Sequence, residues 1–152
     1  MNKIIFLILL LALPMLAGDE ESAPTIWLET LEAAKEHVAD SDKLIMLYFS
    51  GSDWCRPCIQ LKKVVLETDA FKAYAADNLA LVMLDFPAKK KNKLSAERTA
   101  YNEGLAERFN KKGSFPLVVL INSNEENVAT LGGYREETPE AYISKIKKAI
   151  SK

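Results

Sequence analysis

Two cysteines with two residues between them, placed after an apolar run and before an amphipathic segment, constrain this 152-residue chain more than any other feature. Residues 44–49 are almost entirely apolar, and a short polar turn follows. Cys55 and Cys58 then open a segment in which apolar residues recur at helical spacing. The pattern predicts a buried strand, a tight turn and a helix whose first turn carries both sulfurs.

The spacing of the two cysteines suits thiol–disulfide exchange. A first helical turn brings both sulfurs within bonding range and leaves the first one at the helix N-terminus. Unpaired N–H groups and the positive end of the helix dipole favour a thiolate there, and the thiolate is the nucleophilic form of cysteine. We therefore predict that Cys55 is the more exposed, attacking sulfur and that Cys58 is the buried, resolving sulfur.

The neighbours of the two cysteines fit this interpretation. Arg56 lies between them and adds a positive charge that would stabilise a Cys55 thiolate. Pro57 falls in the first helical turn, where its missing N–H costs little. Trp54 immediately precedes the pair, and two roles are open for it: shaping the contact surface beside the nucleophile, or packing in the core.

Two other roles for the cysteine pair have less support. A structural zinc site usually takes four ligands, with a second Cys/His pair downstream, whereas this sequence has no third cysteine and a single histidine, His37. No metal and no cofactor beyond a redox-active disulfide is therefore expected. An inert structural disulfide is the other alternative, but a bridge closing so short a loop removes little chain entropy.

The N-terminal residues have the composition of a secretory signal peptide. A short positive start is followed by an apolar run at residues 4–13, so residues 1–17 are predicted to be removed by cleavage near Ala17 or Gly18. The run is shorter than the ~20 residues of a spanning helix, although an uncleaved anchor stays an alternative. Residues 18–25 would form a flexible lead-in and 26–152 the domain. We therefore expect an exported protein, periplasmic or secreted, in a compartment where disulfides persist.

Strand and helix patterns alternate along the rest of the chain. Buried strands are predicted at 79–86 and 117–122, and helices are predicted to begin at Thr30, Ser95 and Thr138. The last helix is expected to bury four apolar side chains: Tyr142, Ile143, Ile146 and Ile150.

The order of these elements predicts the fold class. Strands joined through helices imply parallel crossovers, and the last two strands form a hairpin. We therefore expect an α/β fold with three layers, in which helices cover both faces of a central mixed sheet. The net charge of −1 excludes an electrostatic nucleic-acid binder, which would carry a basic face.

With these motifs the sequence resembles the thioredoxin superfamily over residues 26–150. Residues 54–58 match the family's W-C-x-P-C motif, and Phe115-Pro116 at the start of a buried strand is similar to its cis-proline segment. The sequence looks like exported bacterial thioredoxin-like proteins, and the thioredoxin-like domain of periplasmic electron-relay proteins is a similar case. The resemblance implies that Pro116 is cis and that the backbone of Phe115 binds an extended substrate strand.

The sequence departs from that family at two places. Thioredoxins proper carry a buried aspartate on the central strand that helps to deprotonate the second cysteine, and the matching position here is Tyr48. A connection of roughly 30 residues separates Asp85 from Pro116 and includes a basic insertion at residues 87–113. Its lysine-rich start at 87–93 is interpreted as a plain surface loop or as a docking site for an acidic partner.

The expected function is that of an extracytoplasmic thiol–disulfide oxidoreductase acting on protein disulfides or dithiols. Arg56 would make the pair more oxidising, whereas reducing family members share Pro57, and we favour a reductase. A membrane electron-relay protein is the expected redox partner, and the chain is expected to be a monomer. The alternatives are a protein-binding module whose redox pair is incidental, and a disulfide isomerase or oxidase.

Overall fold

The computed structural model describes residues 27–151. The predicted signal peptide (1–17), the lead-in (18–25) and the first domain residue, Ile26, lie outside the described residues. Within 27–151, no helix is both long enough and apolar enough to cross a membrane.

Five strands and five α-helices make up most of the described chain. The strands are β1 Trp27–Leu28, β2 Leu44–Ser50, β3 Leu79–Asp85, β4 Leu117–Ile121 and β5 Asn127–Gly132. The α-helices are α1 Leu31–Val38, α2 Arg56–Leu61, α3 Asp69–Asn78, α4 Ala96–Phe109 and α5 Pro139–Ile150. A π-helical stretch, Lys62–Leu66, continues α2, so the helix that follows the cysteines runs to Leu66.

The strands form one mixed sheet in the order β1-β3-β2-β4-β5. The β1 and β2 strands both run parallel to β3, and β4 runs antiparallel to β2 and β5. Every residue of β4 is buried, and so is every residue of β2 after Leu44. Strands covered on both faces are expected to be apolar throughout, and this is why these two segments were recognisable from the sequence.

A hydrophobic core lies on each face of the sheet. One core joins Met46 and Tyr48 of β2 to side chains of α3, α5 and the π-helical stretch. The other joins Ile45, Leu47 and Phe49 to side chains of α1 and α4. Because alternate residues of β2 enter opposite cores, the predicted three-layer arrangement is confirmed.

The prediction for the last helix was wrong at Ile150. Tyr142 and Ile146 are buried as expected, Ile143 is only partly buried against the core, and Ile150 is 37% exposed. Its side chain borders a cleft lined also by Leu44 and Leu79, the first residues of β2 and β3. The last turn of α5 thus lies at the end of the sheet, beside this open cleft.

Candidate redox site

The cysteine pair lies where β2 gives way to α2. Cys55 is the N-cap residue of α2, with an extended backbone, and its Sγ accepts the backbone N–H of Cys58 at 3.3 Å. The two sulfurs form a disulfide with an S–S distance of 2.02 Å and a Cα–Cα distance of 5.3 Å. The sequence therefore predicted the helix start and the pairing correctly, since both depend only on residues three positions apart.

The two sulfurs differ in their access to solvent. Cys55 is 5% exposed and Cys58 is fully buried. The intervening Arg56 and Pro57 occupy the first two helical positions, and both are exposed. Cys55 is therefore the more accessible of the two, which fits the order of attack predicted above.

Trp54 forms an exposed wall beside the disulfide. The residue is 50% exposed, its Nε1–H donates to the carbonyl oxygen of Phe86 at 2.7 Å, and its ring meets that of Phe115 edge-on, with 5.4 Å between centroids. The indole also lies against Gly51, where a Cβ atom would come within 2.3 Å of it. Of the two roles left open for Trp54, the structure favours the contact surface.

The Phe115–Pro116 peptide bond is cis, as the family resemblance implied. Pro116 is buried, and its carbonyl accepts the N–H of Gly133 at 3.0 Å. The next residue, Leu117, pairs with Phe49 at the end of β2. The sheet thus places Phe115 and Pro116 at the same edge as the cysteines, although they lie about sixty residues further along the chain.

A buried tyrosine hydroxyl lies behind the helix start. The Tyr48 hydroxyl donates to the carbonyl oxygen of Cys58 at 2.8 Å, and the side chain is fully buried. Burial raises the pKa of Tyr48 to about 12, so the group is neutral at physiological pH. Where thioredoxins proper place an ionisable carboxyl, this chain therefore places a neutral hydrogen-bond donor.

Two carboxylates tie the turn before the cysteines to the segment that follows β3. Asp85 accepts the backbone N–H of Ser52 at 2.9 Å and its hydroxyl at 2.6 Å. Asp53 accepts the N–H groups of Ala88 and Lys89 at 2.9 and 3.0 Å, and the side-chain amide of Asn92 at 2.9 Å. These hydrogen bonds, that of Ala88 foremost, lower the pKa of Asp53 from its ordinary value. Asp53 is thus partly buried and fully engaged in hydrogen bonds to this segment.

Sequence reasoning missed four contributors to the site: Gly51, Asp53, Asp85 and the hydroxyl of Tyr48. Gly51 could have been suspected from a glycine three residues before a tryptophan in a tight turn. The contacts of Asp53 and Asp85 join residues more than thirty positions apart, so no local pattern reveals them. His37, the single histidine of the sequence, lies exposed on α1.

A mixed sheet with a disulfide at a helix start and a cis-proline at the same edge defines the class of thioredoxin-fold thiol–disulfide proteins. The family model described as thioredoxin-like matches residues 26–123. The chain is 33% identical over 129 residues to the disulfide bond reductase DsbH of Chlamydia pneumoniae, covering 85% of this chain and 75% of that protein. It is 27% identical to the thioredoxin-related protein DsbJ of the same organism, covering 87% of this chain and 38% of DsbJ.

Solved structures agree with these relationships. The structure of a DsbH oxidoreductase superposes with a TM-score of 0.78 at 31% identity, covering 92% of this chain and 94% of that one. A thioredoxin from Thermus thermophilus, at 16% identity and a TM-score of 0.60, covers 82% of this chain and 86% of its own, and it shows the fold alone. The chain belongs to the thioredoxin-like family. With its Cys55–Cys58 disulfide, it is a thiol–disulfide oxidoreductase.

Proposed function

We propose that the protein works outside the cytosol as a reductase of disulfides in other proteins, with Cys55 as nucleophile and Cys58 as resolving residue. The observation that carries the proposal is the asymmetry of the pair: Cys55, the less deeply buried residue, is also the one whose sulfur accepts a helix N-terminal N–H. A negative charge on that sulfur is favoured by the N–H group and by the helix dipole.

The exchange proceeds in two steps that balance in atoms and electrons. The Cys55 thiolate attacks one sulfur of the substrate disulfide, forms a mixed disulfide and releases the other substrate sulfur as a thiolate. Cys58, after losing its proton, attacks Cys55 and releases the second substrate thiolate. The substrate gains two electrons and the protein is left with the Cys55–Cys58 disulfide described here.

The remaining site residues have supporting roles in this proposal. Trp54, Phe115 and Pro116 form the surface against which an extended substrate segment lies. Arg56 and Pro57 flank the nucleophile, and Arg56 stabilises its charge. Because Tyr48 offers no carboxylate, water or a substrate thiolate accepts the Cys58 proton.

The direction of exchange and the location rest on separate support. Reduction is favoured by the likeness to a protein named as a disulfide bond reductase. The match covers 75% of that protein's length. The signal-peptide composition of residues 1–17 supports an extracytoplasmic location. A reductase there needs a dithiol donor to regenerate it, and a membrane electron-relay protein is the proposed source.

The proposed order of attack is tested with Cys58→Ser. With no resolving sulfur, the mixed disulfide at Cys55 cannot be released and should accumulate on non-reducing gels when the variant meets a disulfide-bonded protein such as insulin. Cys55→Ser is the matched control and should form none. Accumulation in Cys55→Ser rather than in Cys58→Ser would reverse the two roles, and failure of both variants to trap substrate would refute the exchange mechanism.

The direction of exchange is tested by equilibrating the pair with glutathione. We expect a reduction potential nearer to the value of about −270 mV for reducing thioredoxins than to about −120 mV for strongly oxidising members of the fold. A value at the oxidising end would replace the reductase proposal by an oxidase.

A further inference from the structure

The segment of residues 87–93, here called the lysine loop, is attached directly to the turn that carries the redox pair. The Asp53 carboxylate accepts three hydrogen bonds from it, including those of Ala88 and Asn92. Just before the loop, Phe86 accepts the Trp54 indole N–H at 2.7 Å. Asp53 and Trp54 are the two residues that precede Cys55. The loop therefore has a fixed position beside the disulfide.

The loop presents unpaired positive charge. Lys89, Lys90 and Lys91 are all exposed, and none of them forms an ion pair among residues 27–151. Asp53 partly offsets the charge of Lys89, whereas Lys90 and Lys91 lie on a short 3₁₀ turn, Lys90–Asn92, and form no salt bridge among the described residues. The loop is thus a net positive surface on a chain whose overall charge is −1.

Some other lysines of the described chain are neutralised by carboxylates, whereas Lys147 and Lys148, like the loop lysines, form no ion pair among residues 27–151. Four lysines reach carboxylates within 4.0 Å, and these are Lys35, Lys62, Lys72 and Lys145. Those pairs neutralise charge locally. The three consecutive lysines of the loop lack such partners, so their charge is available to an incoming molecule.

We propose that the lysine loop docks an acidic segment that lies next to the disulfide of the protein substrate. The inference rests on the proposed reductase function and adds a substrate preference to it. Arg56, exposed between the two cysteines, adds a further positive charge at the disulfide itself. Complementary charge at this place raises the encounter rate and holds the acidic segment while Cys55 attacks.

The test compares two synthetic peptides that share one internal disulfide and differ only in flanking residues, glutamate in one and glutamine in the other. Pre-reduced protein is mixed with each peptide, and the second-order rate constant of a single turnover is measured. Wild-type protein should reduce the acidic peptide faster. Lys90→Gln/Lys91→Gln should lower that rate about threefold to tenfold, as expected from two exposed ion pairs, and leave the glutamine peptide unchanged.

The control removes the same charge elsewhere. Lys147 and Lys148 lie on the last turn of α5, at the opposite end of the sheet from the disulfide. Lys147→Gln/Lys148→Gln should keep the wild-type preference. If this pair lowers the rate as much as the loop pair, net charge rather than the loop causes the preference, and the inference is overturned.

A second variant separates the effect of the loop's position beside Cys55 from the effect of the local charge. Asp53→Ala removes a negative charge, so charge alone predicts a stronger preference for the acidic peptide. Loss of the three hydrogen bonds to the loop predicts a weaker one, because the lysines are no longer held beside Cys55. We expect the weaker preference, and an increase would overturn the inference.

The outcomes distinguish this inference from the proposed function. Equal reduction of both peptides by wild-type protein refutes the docking surface and leaves the reductase proposal intact. Reduction of neither peptide refutes both. The preference should also shrink between about 0.02 and about 0.3 M salt, because exposed charges are screened over that range, and a salt-independent preference would contradict docking by charge.

Discussion

The redox helix α2 and the other α-helices begin with different chemical groups at the same position. In the others a hydroxyl accepts the N–H group three residues on, at 3.1–3.3 Å, and the capping residues are Thr30, Thr68, Ser95 and Thr138. In α2 the sulfur of Cys55 accepts that N–H at 3.3 Å. A hydroxyl caps a helix well but stays protonated, whereas a thiol caps weakly and ionises.

The thiol cap makes the start of α2 less stable than the hydroxyl-capped helix starts, and in return it supplies a reactive sulfur. In α2 the carbonyl oxygen of Cys58, in the first turn, accepts the N–H of Lys62 and also the hydroxyl of Tyr48 from the central strand β2. Among the described residues, no other α-helix receives a side-chain hydrogen bond from β2 at its first turn. The weak cap of α2 is thus accompanied by a tertiary contact that holds the same turn. Departures from local rules are expected at functional sites and are offset elsewhere in the fold.

The largest expected effect comes from changing the cap of α2. Cys55→Ser and Cys55→Ala should both lower insulin-disulfide reduction to the uncatalysed background, because neither side chain supplies a thiolate. The serine variant should nevertheless be about 1 kcal/mol more stable than the alanine variant, since serine caps a helix and alanine does not. Urea denaturation under reducing conditions measures the difference. Equal stabilities would show that the residue at this position does not cap α2.

Removing a hydroxyl cap should lower the stability of the fold and leave the redox activity unchanged. Thr68→Ala removes the acceptor for the Phe71 N–H and the donor to the Val65 carbonyl. We expect a loss of about 1–2 kcal/mol in the free energy of unfolding, with single-turnover reduction unchanged. Thr68→Ser keeps both hydrogen bonds and serves as the control. A fall in activity with unchanged stability would mean that this cap also serves the redox site.

The contact that compensates the weak cap is tested by Tyr48→Phe. The variant loses the hydrogen bond to the Cys58 carbonyl while keeping the ring in the core. Because the carbonyl still accepts the Lys62 N–H, we expect a loss of only about 1 kcal/mol in unfolding free energy, measured by chemical denaturation. A pH–rate profile for reduction displaced relative to wild type would assign Tyr48 an electrostatic role as well.

The smallest effect concerns the carboxylate beside the redox turn. The pKa of Asp53 is lowered in the folded protein, chiefly by the Ala88 N–H. Its hydrogen bonds therefore stabilise the fold fully above the ordinary aspartate pKa and are lost as the pH falls through the lower, folded value. A carbon NMR titration of the carboxyl should show this shift, and Asn92→Ala should reduce it. A titration at the ordinary value would show that the lysine loop is not held by Asp53 in solution.

Signals within a few residues of each other determined much of this protein. The caps at Thr30, Ser95 and Thr138, the buried strands and the start of the redox helix at Cys55 all followed from the sequence, because each depends on the local spacing of apolar and capping groups. The cis bond before Pro116 was anticipated only through the family resemblance, since about 5–6% of X–Pro bonds are cis in folded proteins.

Only the tertiary structure decided which distant side chains meet at the redox site. The assembled fold brings the ring of Phe115 against that of Trp54 and the Tyr48 hydroxyl to the Cys58 carbonyl oxygen. It also lets the lysine loop donate hydrogen bonds to Asp53. The same packing leaves Ile150 exposed, although its helical position matches that of buried Ile146. Hydrophobic periodicity tells which face of an element is apolar, but which neighbour covers that face depends on how the whole sheet is assembled.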